Sequence, residues 1–120
     1  MLEFFLSLLL SINSLTFSPS WSEVAQYRAD DMAQRDYFSH QTPEGHYAYQ
    51  VLGDRSYSAG AELLARTDNP DSAWAAFNAL WASPTHRSYL RSWEFDRVGI
   101  GIAHRGSMTY YVVLLCGGCW

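Results

Sequence analysis

The order of periodicities along this chain predicts an α+β domain, with helices packed on a small antiparallel sheet that ends in a C-terminal β-hairpin. Three observations carry that expectation. Apolar side chains recur at helical spacing from Trp21 to Ala33, and again from Ala73 to Trp81. After Phe95 the period drops to two, with Val98, Ile100 and Ile102 pointing one way and Gly99, Gly101 and Ala103 the other. Arg105-Gly106-Ser107 then reads as a turn, and Met108 to Leu115 is a β-branched and aromatic run that completes the hairpin.

Length and composition bound the rest. A chain of 120 residues, 48% hydrophobic and 16% aromatic, is one domain with a real core and is not disordered. The formal net charge is -4, and all 8 basic residues are arginines with no run or stripe among them. That distribution excludes nucleic acid and anionic membrane surfaces as natural partners.

Residues 1–14 form a separate question, and 15–120 form the domain proper. Phe4 to Ile12 is an apolar run broken only by Ser7 and Ser11, too short to span a bilayer. As a secretion signal it has a suitable core length, but it starts with Glu3 and lacks an A-x-A-like cleavage site. As a helix it places Leu2, Phe5, Leu9 and Ile12 on one buried face. Both readings, a packed first helix and an atypical signal segment, stay open.

Leu15 to Pro19 reads as a connection. The next helix starts either at the capping box Ser20-Trp21-Ser22-Glu23 or slightly earlier at Ser18-Pro19, and runs to about Arg35 or Asp36. Its inward positions are Trp21, Val24, Ala25, Arg28, Ala29, Met32 and Ala33. Pro43 and Gly45 mark a loop, and Tyr47 to Leu52 suits a short helix broken by Gly53 and Asp54. Glu62 lies among small and apolar residues, so if buried it must find a partner.

Asn69-Pro70-Asp71 has the signature of a helix start, and Trp74, Phe77 and Trp81, supported by Ala73 and Leu80, are expected on that helix's buried face. Ser83-Pro84 repeats the cap and sets His86 in the first turn of a short helix reaching about Arg91. Unpaired N–H groups there disfavour the protonated imidazole. Glycines on one face of the following strand imply that something approaches it closely. Tyr47, Tyr49 and Trp93 are expected to pack in the core, an exposed partner patch being the alternative. Cys116 and Cys119 form a C-x-x-C with only Trp120 after it, so no helix can activate a thiol. A local disulfide or two free thiols is the expectation, over a redox pair or half a zinc site.

Of His40, His46, His86 and His104, none falls in a metalloprotease motif, and no nucleophile elbow or phosphate loop is present. The combination says more than its parts. Tyr37-Phe38-Ser39-His40, Gly60-Ala61-Glu62, Trp81-x-Ser83-Pro84-x-His86-Arg87 and Val98-Gly99-Ile100-Gly101, in that order, resemble the CAP superfamily (SCP-like, pathogenesis-related-1-like), in its short bacterial form. The resemblance runs from about Leu15 to Leu115. It implies a three-layer α-β-α sandwich, an extracellular or cell-envelope location, and a groove lined by two histidines and acidic residues that in some members hold a divalent metal. His40, Glu62 and His86 match three of those positions. The second acid has no match, since Ala82, Ser83 and Pro84 stand in its region, and Leu63 replaces the usual asparagine after the glutamate.

Three functions follow from the resemblance. One is a non-enzymatic module binding a small-molecule, lipid, polysaccharide or protein ligand beside His40, Glu62 and His86. A second is a hydrolase using a divalent metal such as zinc, held by His40, Glu62 and His86, although no further acid is at hand as general base. In the third, the trio only hydrogen-bonds the helices to the sheet.

Overall fold

The computed structural model describes residues 2–10, 15–53, 57–68 and 73–119. In chain order the elements are α1 (Leu2–Leu10), β1 (Thr16–Phe17), α2 (Pro19–Arg35), α3 (Ala48–Val51), β2 (Ala59–Thr67), α4 (Ala73–Ala82), α5 (Pro84–Arg91), β3 (Arg97–Arg105) and β4 (Met108–Gly117). The sheet has the order β1-β3-β4-β2. β3 and β4 form the expected hairpin, in register from Arg97↔Cys116 to Arg105↔Met108. Gly106 opens its two-residue turn at φ 59, the positive value that such turns require.

Two strands were not legible as strands. β2 pairs antiparallel with β4 along its whole length, and Leu15 to Pro19, expected as a connection, contributes β1. β1 runs parallel to β3, so the sheet is mixed rather than purely antiparallel.

α2 starts at the earlier of its two expected caps. Ser18 is the N-cap, its hydroxyl accepting from the Trp21 N–H at 3.2 Å, and Pro19 takes the first helical position. The helix lies directly on the glycine face of β3. A Cβ on Gly99 would come within 2.5 Å of the Trp21 backbone, and one on Gly101 within 2.2 Å of the Ala25 carbonyl oxygen. The same helix covers the edge of β3 beyond the short β1. The Ile100 N–H donates to Ser22 Oγ at 3.0 Å, and Gln26 both accepts from the Ile102 N–H and donates to its carbonyl. Backbone groups that would otherwise be an open sheet edge are thereby paired.

Two cores result, one on each face of the sheet. On one side α1, α4 and α5 bring Phe5, Leu9, Ala73, Ala76, Leu80 and Leu90 against Val98, Ile100, Tyr111, Val113 and Leu115. On the other, Trp21, Ala25, Ala29 and Met32 of α2 meet Leu64, Tyr110, Val112 and Leu114. This is a three-layer α-β-α sandwich. In α1, Phe5 and Leu9 are fully buried, and Phe5 packs on Tyr111 with ring centroids 5.0 Å apart. Ile12 and the Asn69-Pro70-Asp71 signature lie outside the described residues.

The inward face of α4 departs from expectation at Trp74. Ala73, Ala76 and Leu80 are its buried positions, whereas Trp74 is 54% exposed. The three aromatics instead stack in a column along the flank, Trp74 on Phe77 at 5.9 Å and Phe77 on Trp81 at 6.2 Å. Small residues let the helix backbone approach the sheet, Phe77 and Trp81 pack half-buried against the same core, and Trp74 turns out to solvent. Tyr47, Tyr49 and Trp93 are also exposed, Trp93 to 88%, and do not serve the core. Cys116 and Cys119 are joined in a disulfide.

Candidate functional site

The site is assembled by the end of α2, the loop that follows it and β2. Glu62 faces α2 because β2 alternates, and its side chain is 9% exposed. Its partner is Arg28, fully buried one helix layer above. Arg28 Nε donates to Glu62 Oε2 at 2.8 Å and Nη2 donates to Oε1 at 3.2 Å, a forked pairing. Burial alone would lower the Arg28 pKa, but the Glu62 carboxylate more than offsets it and the guanidinium is held above its ordinary value.

The rest of the Arg28 guanidinium holds the loop. Nη2 donates to the Ser39 carbonyl at 2.7 Å and Nη1 to the Tyr37 hydroxyl at 2.9 Å. Tyr37 in turn donates to Asp31, and burial followed by that bond pushes its phenol up to about 12. Arg35 clasps Asp31 on its own helix and Glu44 in the loop, which keeps both carboxyls below their usual range. The Arg66 guanidinium lies 4.9 Å over the Phe38 ring, tying the start of the loop to β2. The effect is to fix His40, whose Nδ1 stands 2.8 Å from Glu62 Oε1.

His86 is positioned separately. Ser83 caps α5 and its hydroxyl accepts from the His86 N–H at 3.4 Å, with Pro84 at the first helical position, as the sequence suggested. Burial first, and the charge of His40 second, hold the His86 imidazole below its ordinary pKa. The two histidines therefore lie within electrostatic reach, but no hydrogen bond joins His86 to His40 or Glu62. His46 and His104 are elsewhere. His46 is in the loop, where its N–H donates to Thr42 Oγ1, and His104 meets Thr109 across the hairpin.

The donor set does not fit a divalent metal. Among the described residues no three of His, Cys, Asp and Glu are grouped so as to hold an ion. Both oxygens of Glu62 are already committed to a guanidinium, which would have to be displaced.

Next to the His40–Glu62 pair opens a cavity of about 350 Å³, lined by Trp21, Tyr47, Tyr49, Leu52, Tyr57, Gly60 and Leu114 among others. Sequence reasoning found Glu62 and its need for a partner. It placed Arg28 on the inward face of α2 without joining the two, and assigned Tyr47 and Tyr49 to the core.

Solved structures share this fold. An outer surface protein of Borrelia burgdorferi superimposes with a TM-score of 0.82 at 21% identity, covering 98% of this chain and 91% of its own. An extracellular protein containing an SCP domain from Bacillus anthracis matches with a TM-score of 0.74 at 22% identity over 89% of this chain. A cysteine-rich secretory protein from Staphylococcus aureus matches at 0.68 and 14% identity over 96%. The chain spans only 35% and 37% of the last two. No curated protein matches it. No described helix is long and apolar enough to cross a membrane. The model of the cysteine-rich secretory protein family matches residues 10–116, nearly the whole chain, and the protein belongs to that family, the CAP family.

Proposed function

We propose that this protein is a non-enzymatic ligand-binding CAP module working outside the cell or in its envelope, and that its ligand enters the cavity beside His40 and Glu62. The observation that carries the reading is the contrast between the two parts of the site. Both oxygens of the carboxylate are held by Arg28, which weighs against a role as base or metal ligand. The adjoining space, by comparison, is roomy, largely apolar and bordered by a few fixed polar groups, which is the character of a small-molecule site. His40 and Glu62 act in positioning, and burial together with the charge of His40 disfavours protonation of His86. The Cys116–Cys119 disulfide supports an oxidising compartment. So do the outer surface and extracellular names of the proteins that share the fold.

A fragment screen followed through backbone amide shifts tests this reading. Hits are expected to move residues 47–52 and 57–62 together, and to lose that effect in Tyr57→Ala. If no fragment moves those residues, and His40→Ala lowers only the melting temperature, the constellation is structural and the binding reading falls. Zinc titration separates the hydrolase alternative. No stoichiometric uptake at micromolar zinc is expected, whereas uptake abolished by His40→Ala and by His86→Ala would restore it.

A further inference from the structure

The lining of this cavity narrows the chemistry of what it can hold. Its apolar part is made of rings. Tyr47 and Tyr49 stack 5.9 Å apart with planes 12° from parallel, and Tyr57 meets Trp21 edge-on at 5.4 Å. These tyrosines are 41%, 58% and 39% exposed, so they cost solvent-facing aromatic surface without filling the core. Gly60 keeps the strand bare between them. A Cβ there would stand 3.3 Å from the Tyr57 ring and 3.7 Å from Trp21 Cη2.

The polar part offers both kinds of hydrogen-bonding group. Glu62 accepts only, and His40 beside it either donates or accepts. Trp21 is 2% exposed, and its Nε1 has no hydrogen-bond partner among the described residues. An indole N–H so buried normally finds an acceptor, but this one is closed off from the cavity, whose hydrogen bonding falls to Glu62 and His40.

Three ligand classes can be weighed against that lining. An organic cation would favour ring faces and a carboxylate, but Arg28 already neutralises Glu62. A fatty-acid carboxylate brings only acceptor oxygens to a Glu62 carboxylate that itself only accepts. A neutral sugar ring presents C–H faces that stack on aromatics, hydroxyls that donate to Glu62, and hydroxyls that either donate to or accept from His40. We propose that the cavity binds a neutral pyranose saccharide, an inference that rests on the ligand-binding reading above and names its ligand class.

The test uses the full chain with cellotetraose and triacetylchitotriose as probes, and tetramethylammonium and palmitate as counter-probes. Calorimetry and the indole N–H resonance of Trp21 are followed together. Saturable binding of at least one saccharide is expected, with shifts at the Trp21 indole and at residues 47–52. Tyr49→Ala, at the most exposed ring of the lining, should weaken it about tenfold, whereas Tyr49→Phe keeps the stacking face and should change it by less than about threefold. Trp93→Ala, outside the lining, should leave it unchanged. Absence of a saturable response to both saccharides overturns the inference, as does saccharide binding that Tyr49→Ala leaves intact. If tetramethylammonium or palmitate alone moves the same resonances, the saccharide assignment falls while the cavity remains a binding site.

Discussion

Arg28 is fully buried, yet its guanidinium makes hydrogen bonds to Glu62, Tyr37 and the Ser39 carbonyl. A charge removed from water in this way is costly unless every donor is met and a counter-charge is close. The pair is therefore asymmetric under mutation. Arg28→Met leaves the Glu62 carboxylate in a nearly dry site with only His40 against it, and should cost about 3–5 kcal/mol in urea unfolding. Adding Glu62→Gln removes the stranded charge and should recover part of that loss, giving a coupling energy of roughly 0.5–3 kcal/mol. A single-mutant loss below about 1 kcal/mol, or strict additivity, would show that Arg28 does not hold the site. Both halves of this pair were legible in the sequence. Helical periodicity put Arg28 on the inward face, and the apolar setting of Glu62 demanded a partner. Their union was not legible, because it joins residues 34 apart through tertiary packing that no local pattern encodes.

At the scale of elements, the best-read feature was the contact between α2 and β3. Alternating Gly99 and Gly101 opposite apolar Val98 and Ile100 implied a close neighbour, and α2 is that neighbour. Gly101→Ala tests how tight the contact is. Its new methyl would fall on the Ala25 carbonyl, a backbone group that cannot swing aside, so the helix as a whole must lift. A loss of about 1–3 kcal/mol in thermal or denaturant unfolding is expected, and an unchanged midpoint would contradict the packing described. α4 shows why such reading fails at Trp74. Two adjacent faces of that helix are apolar, one of alanine and leucine and one of aromatic rings, and periodicity alone cannot choose between them. Close approach to the sheet selects the small side chains, whereas hydrophobicity would have selected the large ones. β1 and β2 were missed for a related reason. A two-residue strand has no period, and the small residues at the start of β2 carry little β-propensity.

For the molecule as a whole, the question is whether two cores on opposite faces of one sheet behave as a single cooperative unit. β4 is the link, since every position from Thr109 to Gly117 is buried and its side chains alternate between the cores. Tyr111, Val113 and Leu115 face α1 and α4, while Tyr110, Val112 and Leu114 face α2. Losing either layer exposes one side of that strand to water, so neither core should survive alone. Leu9→Ala in α1 and Met32→Ala in α2 empty fully buried sites on the two faces, and each should cost about 2–5 kcal/mol. Because the sites share no partner, the double variant should show the sum of the two losses within about 0.5 kcal/mol. Fluorescence from the 5 tryptophans and far-ultraviolet dichroism should report one coincident transition in all three variants. A Leu9→Ala transition that splits, with the α2 face melting later, would mean that α1 is an appendage to an otherwise complete domain. A common midpoint would make α1 part of the folding unit that holds the cavity in shape.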